Sequence, residues 1–267
     1  MRVYYPPADT EIQNFSRAYP GSGITPNVLV LHTTETGSWP GYVGGAEAPH
    51  LTARADVGHH RLLWRQHFPL SMSSRALRNE QGGVETNTLN VIQIELVGTC
   101  APATRDKYGY FFWPDAPDWA LVELAKFVTW LHAESPTFPI KDAALRGWYA
   151  YGPDPRRPGV SPASYGASRA RLTMKEWTNA YGILGHQHVP ENVHGDPGKF
   201  DAARLVQFAK PDVKNPAPST AAPAQSPPTL LQKTRANLRE LRLRAIDRGR
   251  TRRARRFGQA LRDIPKS

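Results

Sequence analysis

The sequence predicts an α/β domain, a central mixed β-sheet flanked by helices, followed by a basic helical C-terminal tail. Three observations carry this. Short apolar runs suited to buried strands alternate with segments of helical spacing. A stretch rich in Pro, Ala and Ser, without periodicity, interrupts the chain at 213–229. Thirteen Lys/Arg against three Asp/Glu fall within 230–267, so nearly all of the formal net charge of +11 belongs to the tail.

The first run, Asn27 to Leu31 (NVLVL), suits a strand buried on both faces. Arg61 to Gln66 is a weaker strand candidate. In Asn90 to Leu96 (NVIQIEL), Ile92, Ile94 and Leu96 share one face of a strand, and Val91, Gln93 and Glu95 share the other. Residues 118–134 space Leu121, Leu124, Val128 and Leu131 as a helix does, between Pro117 and Pro136. A shorter helix is expected over Asp201 to Ala209, with Asp201 as its N-cap. Residues 147–170, full of Gly, Pro, Ser and Arg, read as a long loop. The expected organisation is one domain over 1–212, a linker over 213–229 and a tail over 230–267.

At 267 residues the chain can bury one sizeable core. Its one cysteine, Cys100, excludes a disulfide framework and a multi-thiolate zinc site. Met1 to Glu11 lacks the basic and apolar regions of a secretory signal, which gives the expectation of a protein that starts in a cytosol. No stretch approaches the roughly 20 apolar residues that span a bilayer. In the tail, Leu231, Leu238, Leu241 and Ala245 are roughly helix-spaced, with Arg on the other faces. Such a basic amphipathic helix suits an anionic membrane or wall polymer. No nucleic-acid-binding motif accompanies it, so no specific nucleic acid is expected.

The chemistry is concentrated in two places. His32 directly follows the first apolar run, where the chain leaves the core. Gly185 to Phe200 (GHQHVPENVHGDPGKF) packs His186, His188, His194, Glu191 and Asp196 into a Gly/Pro loop. Packing alone does not account for such a cluster, because each buried member would need its own partner. A catalytic zinc takes three protein ligands and keeps one open position. His32, one histidine of this loop and Asp196 would supply a thiolate-free set.

The strand NVLVLHTT, the segment APHLT (Ala48 to Thr52), the strand NVIQIELVG and the loop GHQHVPENVHGDPG follow one another in this order. Together they resemble the type 2 N-acetylmuramoyl-L-alanine amidases, related to peptidoglycan recognition proteins and phage T7-type lysozyme. The loop is especially similar to that of endolysins from phages of actinobacteria. The resemblance covers roughly residues 20–210, only loosely over 140–180, and not the tail. It implies an amidase or peptidoglycan-recognition-like fold, Zn2+ as cofactor and bacterial peptidoglycan as substrate. It implies His32, His186 and Asp196 as metal ligands, with Glu95 as catalytic acid/base. His194 stands where the family more often has lysine, and the resemblance gives it a catalytic role too. His188, beside His186, is read as structural or supporting. His50 falls where relatives line the groove, while His59, His60 and His67 are not ranked.

The expected reaction is hydrolysis of the amide between N-acetylmuramic acid and L-alanine. With no leader, the expected setting is a phage endolysin, in the host cytoplasm before lysis and then at the cell wall. Two readings compete: a peptidoglycan binder of the same fold, which would lack part of the ligand set, and a cytosolic amidase that recycles muropeptides. A nucleic-acid binder explains only the tail. Cys100 has no base partner in the pattern and reads as structural. Trp39, Tyr42, Trp148, Tyr149 and Tyr151 lie in loop-like stretches and could stack on sugar or peptide.

Overall fold

A computed structural model of the chain describes residues 4–88, 90–152 and 168–210. The chain divides into two units, Met1–Lys214 and Asn215–Ser267. The linker over 213–229, the tail over 230–267 and most of the loop at 147–170 lie outside the described residues.

Among the described residues six strands form one mixed sheet: β1 (Ala8–Asp9), β2 (Val28–Thr33), β3 (Leu51–Asp56), β4 (Arg61–Gln66), β5 (Val91–Val97) and β6 (Gly182–Gly185). Their spatial order is β1-β4-β3-β5-β2-β6. Only the β3–β4 hairpin pairs antiparallel; the other neighbours are parallel. The fold is α/β, as the alternation of runs suggested. Four helices accompany the sheet among the described residues: α1 (Pro102–Tyr108), α2 (Asp118–Glu134), α3 (Met174–Thr178) and α4 (Ala202–Ala209). No helix among them is long and apolar enough to cross a membrane.

The period-2 pattern of the strands divides the core in two. On one face Leu29, Leu31, Ile92, Ile94 and Leu96 pack with Leu121, Leu124, Phe127 and Val128 of α2 and Leu205 of α4. Each such side chain, fully buried, is worth about 1.5–3 kcal/mol. Thr129 of α2 donates its hydroxyl to Ala209 O at 3.0 Å, tying the two helices together. On the other face Val28, Val30, Val91 and Leu184 form a smaller core with Leu172, Trp177 and Val189. That second layer stops short of the strands' carboxyl ends, and the polar side chains begin there. Helix α2 spans the residues its spacing predicts, and Asp201 caps α4 by accepting from Arg204 N at 3.0 Å. Strands β1, β3 and β6 and helices α1 and α3 are absent from the sequence reading. Each is short, and β6 (GILG) has only two apolar residues to show a period.

Two buried histidines brace the hairpin. Backbone Gln93 N–H donates to His50 Nδ1 at 3.1 Å, so Nε2–H donates to Met72 O at 2.7 Å. His67 Nδ1–H donates to Gln13 O at 2.8 Å. Burial pushes His50 down from 6.5 to about 3 and His67 to about 4. Between about pH 6.5 and pH 4 the unfolded chain therefore binds protons at these positions that the folded chain does not. Stability should therefore rise with pH across that window, and the contribution should be level above it. Denaturation of the metal-free protein as a function of pH should show this, and His67→Gln should remove about one proton from the slope.

Candidate metal centre

Strands β2 and β5 deliver the first two groups. His32 and Glu95 are register partners at the carboxyl ends of adjacent parallel strands, on the face that carries Val28 and Val30 lower down. The row continues across the sheet as Thr52, Arg65 and Asp9. On the other side of β2, Leu31 pairs with Gly185, the last residue of β6. The chain then enters a 3-10 turn, His186–His188, beside His32. Gly185 has to be glycine: a Cβ there would lie 2.5 Å from the Trp148 ring and 2.6 Å from Pro197.

Three potential ligand atoms converge. His32 Nδ1 and His186 Nδ1 are 3.0 Å apart, and Asp196 Oδ1 is 3.3 Å from His186 Nδ1. Asp196 Oδ2 lies 3.8 Å from His32 Nδ1. Tetrahedral zinc with ligand bonds of about 2.0–2.1 Å needs ligand atoms a little over 3 Å apart, so the spacing fits. Glu95 Oε2, beside the cluster, is buried without a hydrogen-bond partner among the described residues, as is His32 Nε2 on the other side of the ring from the cluster. His32, His186 and Asp196 can hold a metal ion. His32 is 1% exposed, Asp196 8% and Glu95 15%, so the cluster opens on the Glu95 side.

Neighbouring groups fix the orientation of these side chains. Thr33 N–H donates to Asp196 Oδ2 at 3.0 Å, and Gln187 N–H donates to Asp196 O at 2.9 Å. His186 Nε2–H donates to Asn192 Oδ1 at 3.1 Å, which leaves the Nδ1 lone pair facing the cluster. The same Asn192 oxygen accepts from Arg78 N–H at 3.0 Å, and its amide donates to Pro190 O at 3.0 Å. Glu191 accepts from Glu80 N–H and Val84 N–H, so the histidine loop is sewn to the segment around 78–84. Glu35 does the same for the exits of β2 and β5, accepting from Thr33 Oγ1 at 2.7 Å, Cys100 N–H at 2.9 Å and the Thr99 hydroxyl. Asn192 and Glu35 are absent from the sequence reading; only the position of Asn192 inside the histidine loop could have signalled it.

The electrostatics separate the two carboxylates. Burial would raise Asp196, but His186, His32 and the Thr33 N–H outweigh it and hold the group well below the carboxylate range. Burial raises Glu95 well above its ordinary value, and the charges of Asp196 and Glu35 push the same way. Burial and His186 keep His32 neutral. The His194 ring lies parallel over His186, centroids 4.8 Å apart, and burial and His186 lower it too.

The remaining candidates go elsewhere. His188 accepts from Gly185 N–H at 2.9 Å through Nδ1 and donates to Gly147 O at 3.1 Å through Nε2, so it has no lone pair left for a metal. His50 is likewise spent on backbone groups rather than lining a groove. His59 is exposed beside Asp56, and His60 stacks on Trp119. Cys100 is buried, and burial, Asp196 and Glu35 raise its thiol far above the thiolate range. Trp148 packs on His188 and Phe200, Trp39 lies under the Arg65 guanidinium, and Tyr149 lies under Arg169.

Tyr42 is held differently. It opens a turn in which Tyr42, Val43, Gly44 and Gly45 all have positive φ, at 49°, 51°, 67° and 106°. Gly45 cannot carry a Cβ, which would sit 2.5 Å from the Phe15 ring. Left-handed Tyr and Val cost on the order of 1–3 kcal/mol each, and Val43 is 72% exposed, so its burial does not offset this.

No family model matches this chain, and no curated protein matches it. A solved structure of a point mutant of PlyL aligns with 49% of this chain and 74% of its own, at 12% identity and a TM-score of 0.31. A likeness at that level carries no argument about this chain.

Second-sphere partners typically matter by about 10–100-fold in metal affinity. Asn192→Leu should lower the affinity for zinc by that factor in chelator competition, because His186 loses the acceptor that sets its tautomer. Unchanged affinity would show that the hydrogen bond does not govern the metal.

Proposed function

We propose that this chain is a zinc-dependent hydrolase that cuts the amide between N-acetylmuramic acid and L-alanine in bacterial peptidoglycan, as a phage endolysin. The observation that carries the proposal is the meeting of His32, His186 and Asp196 beside Glu95. The order of four sequence motifs shared with type 2 amidases supports the choice of substrate. A non-cutting peptidoglycan binder would be expected to lack part of the ligand set, and all three ligands are here.

His32 and His186 would hold zinc through Nδ1 and Asp196 through its carboxylate. When bound, zinc supplies a Lewis acid and lowers the pKa of a water from 15.7 to about 7. Burial and the charges of Asp196 and Glu35 favour the protonated form of Glu95, and a divalent ion held beside it would favour the carboxylate. It takes a proton from the attacking water as the new C–O bond forms at the scissile carbonyl. It hands that proton to the amide nitrogen as the C–N bond breaks, freeing the amine of L-alanine. His194, on the solvent side of His186, donates to the carbonyl oxygen as negative charge gathers there.

Purified protein should carry one zinc per chain, and digested sacculi should release new L-alanine amino termini. A chelator should abolish both. Glu95→Gln should keep the zinc and lose roughly 10²–10⁴ in rate, the range for general acid–base catalysis. Metal analysis without zinc, or near-normal turnover by Glu95→Gln, would end the assignment.

The basic segment over 230–267 is proposed to draw the enzyme to an anionic membrane or wall polymer. Juxtaposed basic residues contribute about 1 kcal/mol each at an anionic surface, within a Debye length. A chain ending near Lys210 should cleave soluble muropeptides near the full rate but lose salt-sensitive adsorption to intact cells. Unchanged adsorption without the tail would remove this role.

A further inference from the structure

We propose that the Tyr42 oxygen is a hydrogen-bond acceptor built to receive an amide N–H of the bound muramyl peptide. The inference rests on the amidase reading and adds to it a contact for the substrate beyond the scissile bond.

The direction of every hydrogen bond behind Tyr42 is fixed. Gln13 O can only accept, so His67 Nδ1 carries the proton in their 2.8 Å contact. His67 is held neutral, so its Nε2 is a bare acceptor. Thr52 Oγ1, 2.8 Å away and fully buried, must donate its proton to that nitrogen. With its proton used, Thr52 can only accept from Tyr42, whose hydroxyl lies 2.5 Å from it. The phenol proton therefore points inward, and burial and the neighbouring Glu95 raise the hydroxyl well above its ordinary value, so it keeps that proton.

The position is right for an amide N–H donor. Thr52 is the register partner of Glu95, so Tyr42 binds the sheet one strand over from Glu95 and two from His32. Neighbouring strands are about 4.8 Å apart, so an extended chain crossing the sheet from His32 meets Tyr42 after roughly three residues. The His67 ring is clamped between Phe15, stacked at 5.6 Å, and Tyr42, edge-on at 5.2 Å. The left-handed turn at 42–45 is what brings the phenol to this place. Tyr42 is half-buried, and its neighbour Val43 is left exposed. The amide N–H could come from the stem peptide or from the acetamido group of the sugar, and the ligands used in the test separate these.

Binding of muramyl dipeptide, of N-acetylmuramic acid and of the free L-Ala-D-isoGln dipeptide would be measured by calorimetry on the full chain. Tyr42→Phe should weaken muramyl dipeptide about five- to tenfold, the worth of one hydrogen bond. It should weaken whichever fragment supplies the N–H and leave the other alone. Thr52→Val, which keeps the phenol but frees its proton to point outward, should weaken the same ligand; it also serves if Tyr42→Phe does not fold. Wild-type affinity in either folded variant would overturn the inference while leaving the amidase reading intact. A wild-type chain that neither cleaves sacculi nor binds any of the three ligands would overturn both.

Discussion

Strand β2 pairs in parallel with β5 on one side and β6 on the other, and this pairing sets the distances at the site. Parallel neighbours put equivalent ends together, so the carboxyl ends of three strands far apart in sequence meet on one edge of the sheet. His32 and Glu95 become neighbours because they stand at matching positions. The chain leaving β6 has only to turn once for His186 to reach His32. A slip of one residue in β2 would send His32 to the opposite face and Leu31 to the cluster. The apolar residues below, Leu29 and Leu31 on one face and Val28 and Val30 on the other, are what forbid that slip. Packing of the hydrophobic core and alignment of the polar site are thus one constraint.

The same geometry gives two buried carboxylates different chemistry. Asp196 faces two imidazoles and a backbone N–H, so its charge is stabilised even in the metal-free protein. Glu95 is buried near Asp196 and Glu35, so its charge is opposed. One group is held ionised, as the proposed ligand role requires. The other has its charge opposed, so a cation placed beside it would shift its proton equilibrium, as the proposed acid/base role requires. Neither role follows from residue type; each follows from which strand end or loop the carboxylate occupies.

This is also where the sequence stops being informative. The runs that become β2 and β5 and the spacing that becomes α2 are long enough to reveal their period, and Gly, Pro and His crowding marks the loop after β6. Register cannot be read that way: no local pattern states that Thr52 stands opposite Glu95, because the pairing is made by hairpin and core together. His186 and His188 look alike in the sequence, two residues apart. Only the backbone groups around Gly185 and Gly147 show that His188 is consumed by main-chain hydrogen bonds. Tyr42 reads as an aromatic in a loop, and its role depends on a left-handed turn that a Tyr-Val-Gly-Gly string does not announce.

The histidines around the sheet are best understood as direction-setting devices. His50, His67 and His188 are neutral because burial opposes their charge, and a neutral imidazole has one donor and one acceptor that cannot be exchanged once either is committed. Each passes that commitment on: His188 locks the turn that carries His186, and His67 orients Thr52 and through it Tyr42. Asn192 plays the equivalent part for His186, since its amide nitrogen is spent on Pro190 O and its oxygen must face the ring. The polar groups on this face of the sheet therefore inherit fixed polarity from groups buried behind them. Protonation of His67 turns its Nε2 into a donor, reverses the Thr52 bond and so reverses the one from Tyr42.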